Sequence, residues 1–151
     1  MSLPETNWKH EFIQLLQLPD VTIENGVITE IEYNNNGKHR NLLIRPTFIK
    51  YYENGNAHLK GYYENGKKHR LDGPASIWYH KNGNIEYKIY YENGKKHRLD
   101  GPAYIDYHDD GNLFCKCYYV NDALHRPDGP ARIIYYKNGN MERSYYYINN
   151  K

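Results

Sequence analysis

The feature that most constrains the fold of this chain is an internal repeat of 28 residues. A proline opens each unit, at Pro46, Pro74, Pro102 and Pro130. A constant period of this length is typical of repeat architectures, in which each unit packs on its neighbours. The spacing predicts full units at 46–73, 74–101 and 102–129 and a truncated unit at 130–151. A degenerate first unit is predicted over 21–45, and an N-terminal cap over 1–20.

Each unit contains two turn signals. The first is Asn-Gly, as at Asn82-Gly83, with Asp110-Gly111 in the third full unit. This dipeptide is a strong hairpin signal because both residues of a two-residue turn adopt positive φ. The second signal is Glu-Asn-Gly, as at 92–94, and a loop with the sequence His-Arg-Leu-Asp-Gly-Pro follows it. The chain is therefore predicted to be a series of β-hairpins.

Residues between the turns alternate in character, which is typical of β-strands. In the first strand of each unit, one face keeps an Ile and a Tyr, as in Ile77 and Tyr79, whereas the opposite face varies freely. The fold class that follows is all-β, a single-layer antiparallel meander of about ten strands. We expect one apolar face and one amphipathic face, and the register of the apolar residues predicts that Cys115 and Cys117 lie on the apolar face.

The N-terminal segment has a different pattern. Large apolar residues recur at helical spacing between Pro4 and Leu18, and proline suits the first turn of a helix. We interpret this segment as a capping helix, because a repeat array needs its apolar end covered. A helix that binds a partner is the alternative.

The serial Tyr-Tyr-x-Asn-Gly hairpins with Gly-Pro-Ala loops resemble MORN-type β-hairpin repeats over roughly residues 21–151. Among these, the 28-residue unit is similar to a variant found in bacterial antitoxin-like proteins and in giant DNA viruses of amoebae. The resemblance implies a scaffold, and it implies an antitoxin or immunity-type inhibitor of a toxin or host effector as an alternative. The usual MORN unit is shorter and richer in Gly.

The loops repeat a His-Arg pair and, in three units, an Asp three residues after the His. The Asp can cap its own turn, and the Arg can bind that Asp across the loop, which is the structural interpretation. The alternative is a row of cations that binds a polyanion, either nucleic acid or an anionic membrane surface. The candidate anion-binding residues are His39, Arg40, His69, Arg70, His97, Arg98, His125 and Arg126.

Catalytic and metal-binding signatures are missing from the sequence. None of the three Ser residues lies in a Gly-x-Ser-x-Gly context, and one His per unit cannot assemble a four-ligand site. Cys115 and Cys117 are expected to be small core residues. We therefore predict a protein that is not an enzyme and that has no catalytic residue, cofactor or metal.

Aromatic residues carry the functional prediction. Tyr, Trp, His and Arg on one sheet face form a composition that is enriched in protein interfaces. The expected partner is therefore a protein, and a homodimer through the exposed apolar face is also possible. The predicted partner-binding residues of the varied face are Trp78, His80, Tyr90, Tyr104, His108 and Tyr118.

The overall charge and the cysteines indicate the expected partner class and cellular location. The net charge of +2 is too small to indicate a nucleic-acid binder. No basic segment followed by an apolar stretch opens the chain, and two reduced thiols suit an intracellular protein. We expect a cytoplasmic location, or the host cytoplasm or virion if the source is viral.

Overall fold

A computed structural model of the chain describes residues 20–24, 27–32 and 46–151. In chain order its strands are β1 (Asp20–Glu24), β2 (Val27–Glu32), β3 (Phe48–Tyr51), β4 (Ala57–Gly61), β5 (Tyr63–Glu64), β6 (Lys67–Lys68), β7 (Ser76–Tyr79), β8 (Ile85–Ile89), β9 (Tyr91–Glu92), β10 (Lys95–Lys96), β11 (Tyr104–Tyr107), β12 (Leu113–Cys117), β13 (Tyr119–Val120), β14 (Ala123–Leu124), β15 (Arg132–Tyr135) and β16 (Met141–Tyr145).

Ten strands form one antiparallel sheet in the order β1-β2-β3-β4-β7-β8-β11-β12-β15-β16. The six short strands pair separately as the hairpins β5-β6, β9-β10 and β13-β14. The prediction of an all-β antiparallel meander of hairpins is confirmed. The described residues contain no helix. The predicted capping helix, Pro4–Leu18, lies outside them.

The two turns of each unit differ in conformation, and our prediction for the first turn was wrong. In that turn only the Gly has positive φ, as at Gly83 with a φ of 90°. The backbone N–H of His80 donates to the carbonyl of Asn84, so the loop holds three residues, and the strand pairing next to it has a β-bulge at Trp78/Tyr79. A three-residue loop of this kind needs one left-handed residue rather than two.

The second turn is the one in which both central residues have positive φ. The φ values are 51° at Asn93 and 84° at Gly94. In the next unit Asn121 and Asp122 adopt 51° and 68° without a glycine. Asn and Asp tolerate this region because their short side chains can form local hydrogen bonds. The conformation therefore persists where the Gly of the motif is lost.

Hairpin pairing also corrects the predicted composition of the two faces. Trp78 pairs with Tyr87, and Ile77 pairs with Lys88. Directly paired residues point to the same side of a sheet. An even-numbered residue of β7 therefore shares its face with odd-numbered residues of β8. The sequence prediction had instead assigned the apolar residues of both strands to one face.

We call the two sides of the sheet the constant face and the variable face. The constant face carries an Ile, a Tyr and a Lys in each full unit, as in Ile77, Tyr79 and Lys88. The variable face carries a different set in every unit. Its members in β3, β4, β7, β8, β11, β12, β15 and β16 include Phe48, Lys50, Leu59, Gly61, Ser76, Trp78, Tyr87, Ile89, Tyr104, Asp106, Cys115, Cys117, Arg132, Ile134, Arg143 and Tyr145. Cys115 and Cys117 thus lie on the variable face, not on the predicted apolar one.

Each unit contacts the next through more than strand pairing. The Nδ1 atom of His97 accepts a hydrogen bond from the N–H of Asn121 at 3.3 Å, and the carbonyl of Lys96 accepts one from Asp122 at 2.9 Å. On the constant face, the ammonium group of each unit's Lys lies over the Tyr ring of the following unit at 5.2–5.6 Å, for the pairs Lys60–Tyr79, Lys88–Tyr107 and Lys116–Tyr135. These contacts recur because the period is constant, and they fix one unit against its neighbour.

Fully buried side chains are small. Ala75, Ala103 and Ala131 each precede the first strand of a unit, and none of them is exposed to solvent. The carbonyl of Ala103 accepts a hydrogen bond from the N–H of Tyr90 at 2.7 Å. Two chain segments therefore approach each other closely at this position.

No helix of the described residues is long and apolar enough to cross a membrane.

Candidate protein-binding face

A continuous row of aromatic rings crosses the centre of the variable face. His58 stacks on Tyr52 with ring centroids 4.4 Å apart, and its edge meets Trp78 at 5.1 Å. Trp78 stacks on Tyr87 at 5.4 Å, and Tyr87 contacts Tyr104 at 5.8 Å. The row spans three units, although its members come from different columns of the repeat.

Hydrogen bonds fix the polar ends of these rings. Trp78 Nε1 donates to Ser76 Oγ at 3.2 Å, and the Tyr104 hydroxyl donates to Asp106 Oδ2 at 2.9 Å. Burial, and then the nearby Glu86 carboxylate, raises the pKa of Tyr87 to about 12. Burial, and then Asp106, raises the pKa of Tyr104 as well. Both phenols are therefore neutral at physiological pH, and both rings are half-buried.

Of the predicted partner-binding residues, the structure brings Trp78 and Tyr104 together through Tyr87. His80 and His108 lie at the start of the first turns, where their N–H groups close the loops. The ring of His108 contacts Phe114 at 5.1 Å. The Nε2 atoms of both histidines are buried without a hydrogen-bond partner among the described residues.

Tyr90 and Tyr118 lie apart from this row. Tyr90 follows the end of β8, and the guanidinium of Arg98 lies over its ring at 4.0 Å. Arg126 covers Tyr118 in the same way at 4.1 Å. These two rings belong to the loop edge of the array. Tyr87 and His58, which the sequence reasoning missed, take their place in the row. The hairpin register was the signal that could have found Tyr87, whereas His58 is unpaired at the irregularity opposite Lys50 and Tyr51.

In the loops, each described Arg guanidinium group contacts an Asp carboxylate of its own loop. Arg98 Nε donates to Asp100 Oδ1 at 2.8 Å, and the same contact recurs between Arg70 and Asp72 and, at 3.3 Å, between Arg126 and Asp128. The Arg98 side chain is 25% exposed, whereas that of Asp100 is 82% exposed. The hydrogen bond from Arg98 lowers the pKa of Asp100. Because the loops turn carboxylates outward and cover the cations, their geometry favours the structural interpretation over an anion-binding row.

The loop histidines face the neighbouring unit. His69 Nδ1 accepts from the N–H of Asn93 at 3.1 Å, and its Nε2 lies 3.4 Å from the Glu64 carboxylate. His97 and His125 accept in the same way from Asn121 and Asn149. His39 and Arg40 lie outside the described residues. Between successive loops there is a cleft of about 330 Å³ beside Tyr90, flanked by the exposed side chains of Leu71 and Leu99.

The two thiols of the chain lie side by side on the variable face. Cys115 Sγ is 3.7 Å from Cys117 Sγ, and both residues are buried and unbridged. A hydrogen bond with Cys117, together with the nearby Arg132, lowers the pKa of Cys115. Donating that hydrogen bond, and burial, raise the pKa of Cys117. The described residues contain no group of three or more His, Cys, Asp or Glu side chains placed to hold a metal ion.

Comparison with known families identifies the repeat. Residues 75–93 match the family described as the MORN repeat variant. This segment of the chain is therefore similar to a MORN repeat. The match covers β7, β8 and the start of the following hairpin, which together make up the first two thirds of the second full unit. It confirms the resemblance drawn from the Tyr-Tyr-x-Asn-Gly hairpins. No curated protein matches the chain. No solved structure matches it either.

Proposed function

We propose that this MORN-type array is a non-enzymatic scaffold that binds a protein partner through its variable face. The observation that carries the proposal is the row of half-buried rings from Tyr52 to Tyr104 across the variable face. Tyr and Trp are enriched in interfaces because they offer large, stiff contact areas with a polar end.

Repetition supports binding rather than catalysis. Catalysis needs several different groups that converge on one pocket, whereas this array copies the same loop and turn at fixed intervals. The variable face is the side on which the units differ, so it is the side that can distinguish one partner from another. The two unbridged thiols suit an intracellular setting, which is the location that we propose.

Two adjacent residues provide a matched test of the proposal. Trp78 presents its ring on the variable face, Tyr79 presents its ring on the constant face, and both are half-buried. Immobilised wild-type protein, Trp78→Ala and Tyr79→Ala are each used to capture proteins from the native cell, with quantitative mass spectrometry as the readout. Melting temperatures of the three proteins correct for any loss of folding.

We expect a partner that the wild-type protein and Tyr79→Ala retain and that Trp78→Ala loses. With that partner purified, Trp78→Ala should weaken the affinity by about 2 kcal/mol or more, because interface energy concentrates in a few central aromatic residues. A partner that Trp78→Ala retains and Tyr79→Ala loses would show that the constant face is the binding surface. If none of the three proteins enriches a partner, the proposal fails.

A further inference from the structure

The strongest chemical feature outside the proposed binding row is the pair of thiols. The chain has only two Cys residues, and they occupy successive positions on one face of the same strand, β12. In the other full units the equivalent positions hold Leu59 and Gly61, or Tyr87 and Ile89. The repeat itself therefore does not require sulfur at either position. The proposed partner binding makes no use of it.

The separation of the two sulfur atoms matches a known coordination geometry. Zinc–thiolate bonds of about 2.3 Å at a tetrahedral angle place two sulfur atoms about 3.8 Å apart. The Sγ atoms of Cys115 and Cys117 are already 3.7 Å apart, so both could bind one ion without movement of the strand. A linear arrangement with the same bond length would require about 4.6 Å between the sulfur atoms. The geometry thus favours a tetrahedral ion over a two-coordinate one.

Charge and access are consistent with such an ion. Two thiolates balance the charge of a divalent cation, so the loaded site would be neutral beside the Arg132 guanidinium. Arg132 pairs with Cys117 across the strand and is exposed, whereas Cys115 and Cys117 are 3% and 5% exposed. Uptake of an ion by these buried thiols therefore requires side chains around them to move, and Arg132 is the exposed neighbour among the residues that pair with them. Thiolate ligands select soft cations rather than Mg²⁺ or Ca²⁺.

We propose that Cys115 and Cys117 form a two-thiol site for one soft divalent cation of the zinc group, Zn²⁺ or Cd²⁺. Binding forms two metal–sulfur bonds and releases the two thiol protons to solvent. Water completes the coordination, because no third side-chain ligand among the described residues is placed to do so. The argument for this site does not rest on the protein partner proposed above, although Cys117 pairs with Tyr104 at the end of the row of rings.

The test is a titration of the full chain with Cd²⁺ in the presence of a phosphine reductant, followed by the near-ultraviolet absorption of cadmium–thiolate bonds. We expect one Cd²⁺ per chain and displacement by excess Zn²⁺. Cys115→Ser and Cys117→Ser should each abolish the absorption and weaken binding at least 100-fold. Asp109→Asn, a change at an exposed side chain of the same unit, should bind as the wild-type protein does.

A second measurement needs no variant and so does not depend on how the variants fold. Zn²⁺ should slow alkylation of both thiols of the wild-type protein by iodoacetamide at least tenfold, and it should raise the melting temperature, because it binds the folded state. Equal Cd²⁺ uptake by the double Ser variant would overturn the proposal. So would one ion per two chains with a shift to dimer on size exclusion, or alkylation that Zn²⁺ leaves unchanged.

Discussion

The constant and variable faces belong to the same strands, yet they obey different rules. On the constant face each unit places its Lys over the Tyr of the next unit, as Lys88 does over Tyr107. A change in one unit therefore removes a contact from its neighbour. On the variable face the contacts join unlike residues, such as His58 with Trp78 and Tyr87 with Tyr104. The comparison teaches that a contact repeated between every pair of units holds the repeat uniform, whereas contacts that occur only once let the units diversify.

The largest loss of stability that we expect comes from a change at the buried Ala that precedes the first strand of a unit. Ala103 is fully buried where the Tyr90 segment approaches the main sheet, so Ala103→Leu should lower the free energy of unfolding by about 3 kcal/mol through overpacking. Urea denaturation followed by circular dichroism measures it. Ile134→Leu, at a half-buried site on the variable face, is the control and should cost less than about 1 kcal/mol. Equal losses would remove the distinction between a fixed and a tolerant side of the array.

A smaller effect should follow from the Lys–Tyr contact between units. Lys88→Gln removes the cation over Tyr107, and the free energy of unfolding should fall by about 0.5–1 kcal/mol. A double-mutant cycle with Tyr107→Leu isolates the pairwise energy. The exposed Lys81, which lies in a turn, is the control position, and Lys81→Gln should have little effect. A coupling energy of zero would show that the Lys–Tyr contact does not explain why the constant face is the same in every unit.

The smallest effect at neutral pH lies on the variable face and becomes visible only in alkaline solution. The pKa of Tyr87 is raised to about 12, mainly by burial, so the folded state keeps its proton where the unfolded chain loses it, near pH 10. Its contribution to stability is therefore fully present below pH 10 and is lost as the pH rises towards 12.

Difference absorption spectra between the wild-type protein and Tyr87→Phe report this ionisation directly. We expect the phenolate absorption that the wild-type protein has and Tyr87→Phe lacks to appear near pH 12 in the folded protein and near pH 10 in urea. A signal near pH 10 in both conditions would mean that the ring is solvated, and the row of rings across the variable face would then be open to water.

The sequence predicted the architecture well because the period and the alternation are both local signals. A 28-residue spacing defines the unit, and strands such as β7 and β8 follow from residues that alternate between Asn-Gly turns. The composition of each face was harder to predict, since it depends on which residues pair across the hairpin. Apolar character suggested that Ile77 shares a face with Ile89, whereas the register places Ile77 opposite Lys88.

Turn types show the same limit at a smaller scale. Asn82-Gly83 and Asn93-Gly94 have the same two letters, yet only the second pair has positive φ at both residues. A dipeptide predicts that the chain reverses, but the loop length depends on the strands that it must join. Likewise, a Tyr-Tyr pair predicts one ring on each side of a strand, but it cannot show that Arg98 covers Tyr90, because Arg98 arrives from a later loop.

The hydrogen bonds that join neighbouring units have a consequence for how such genes change length. His69 bonds to the turn at Asn93, and His97 bonds to the turn at Asn121, through the same atoms. A recombination event that removed or duplicated one whole unit would therefore create a junction of a kind the protein already contains. Arrays of this type should differ between related genomes in steps of 28 residues, while partial duplications, which break both pairing and register, should be lost.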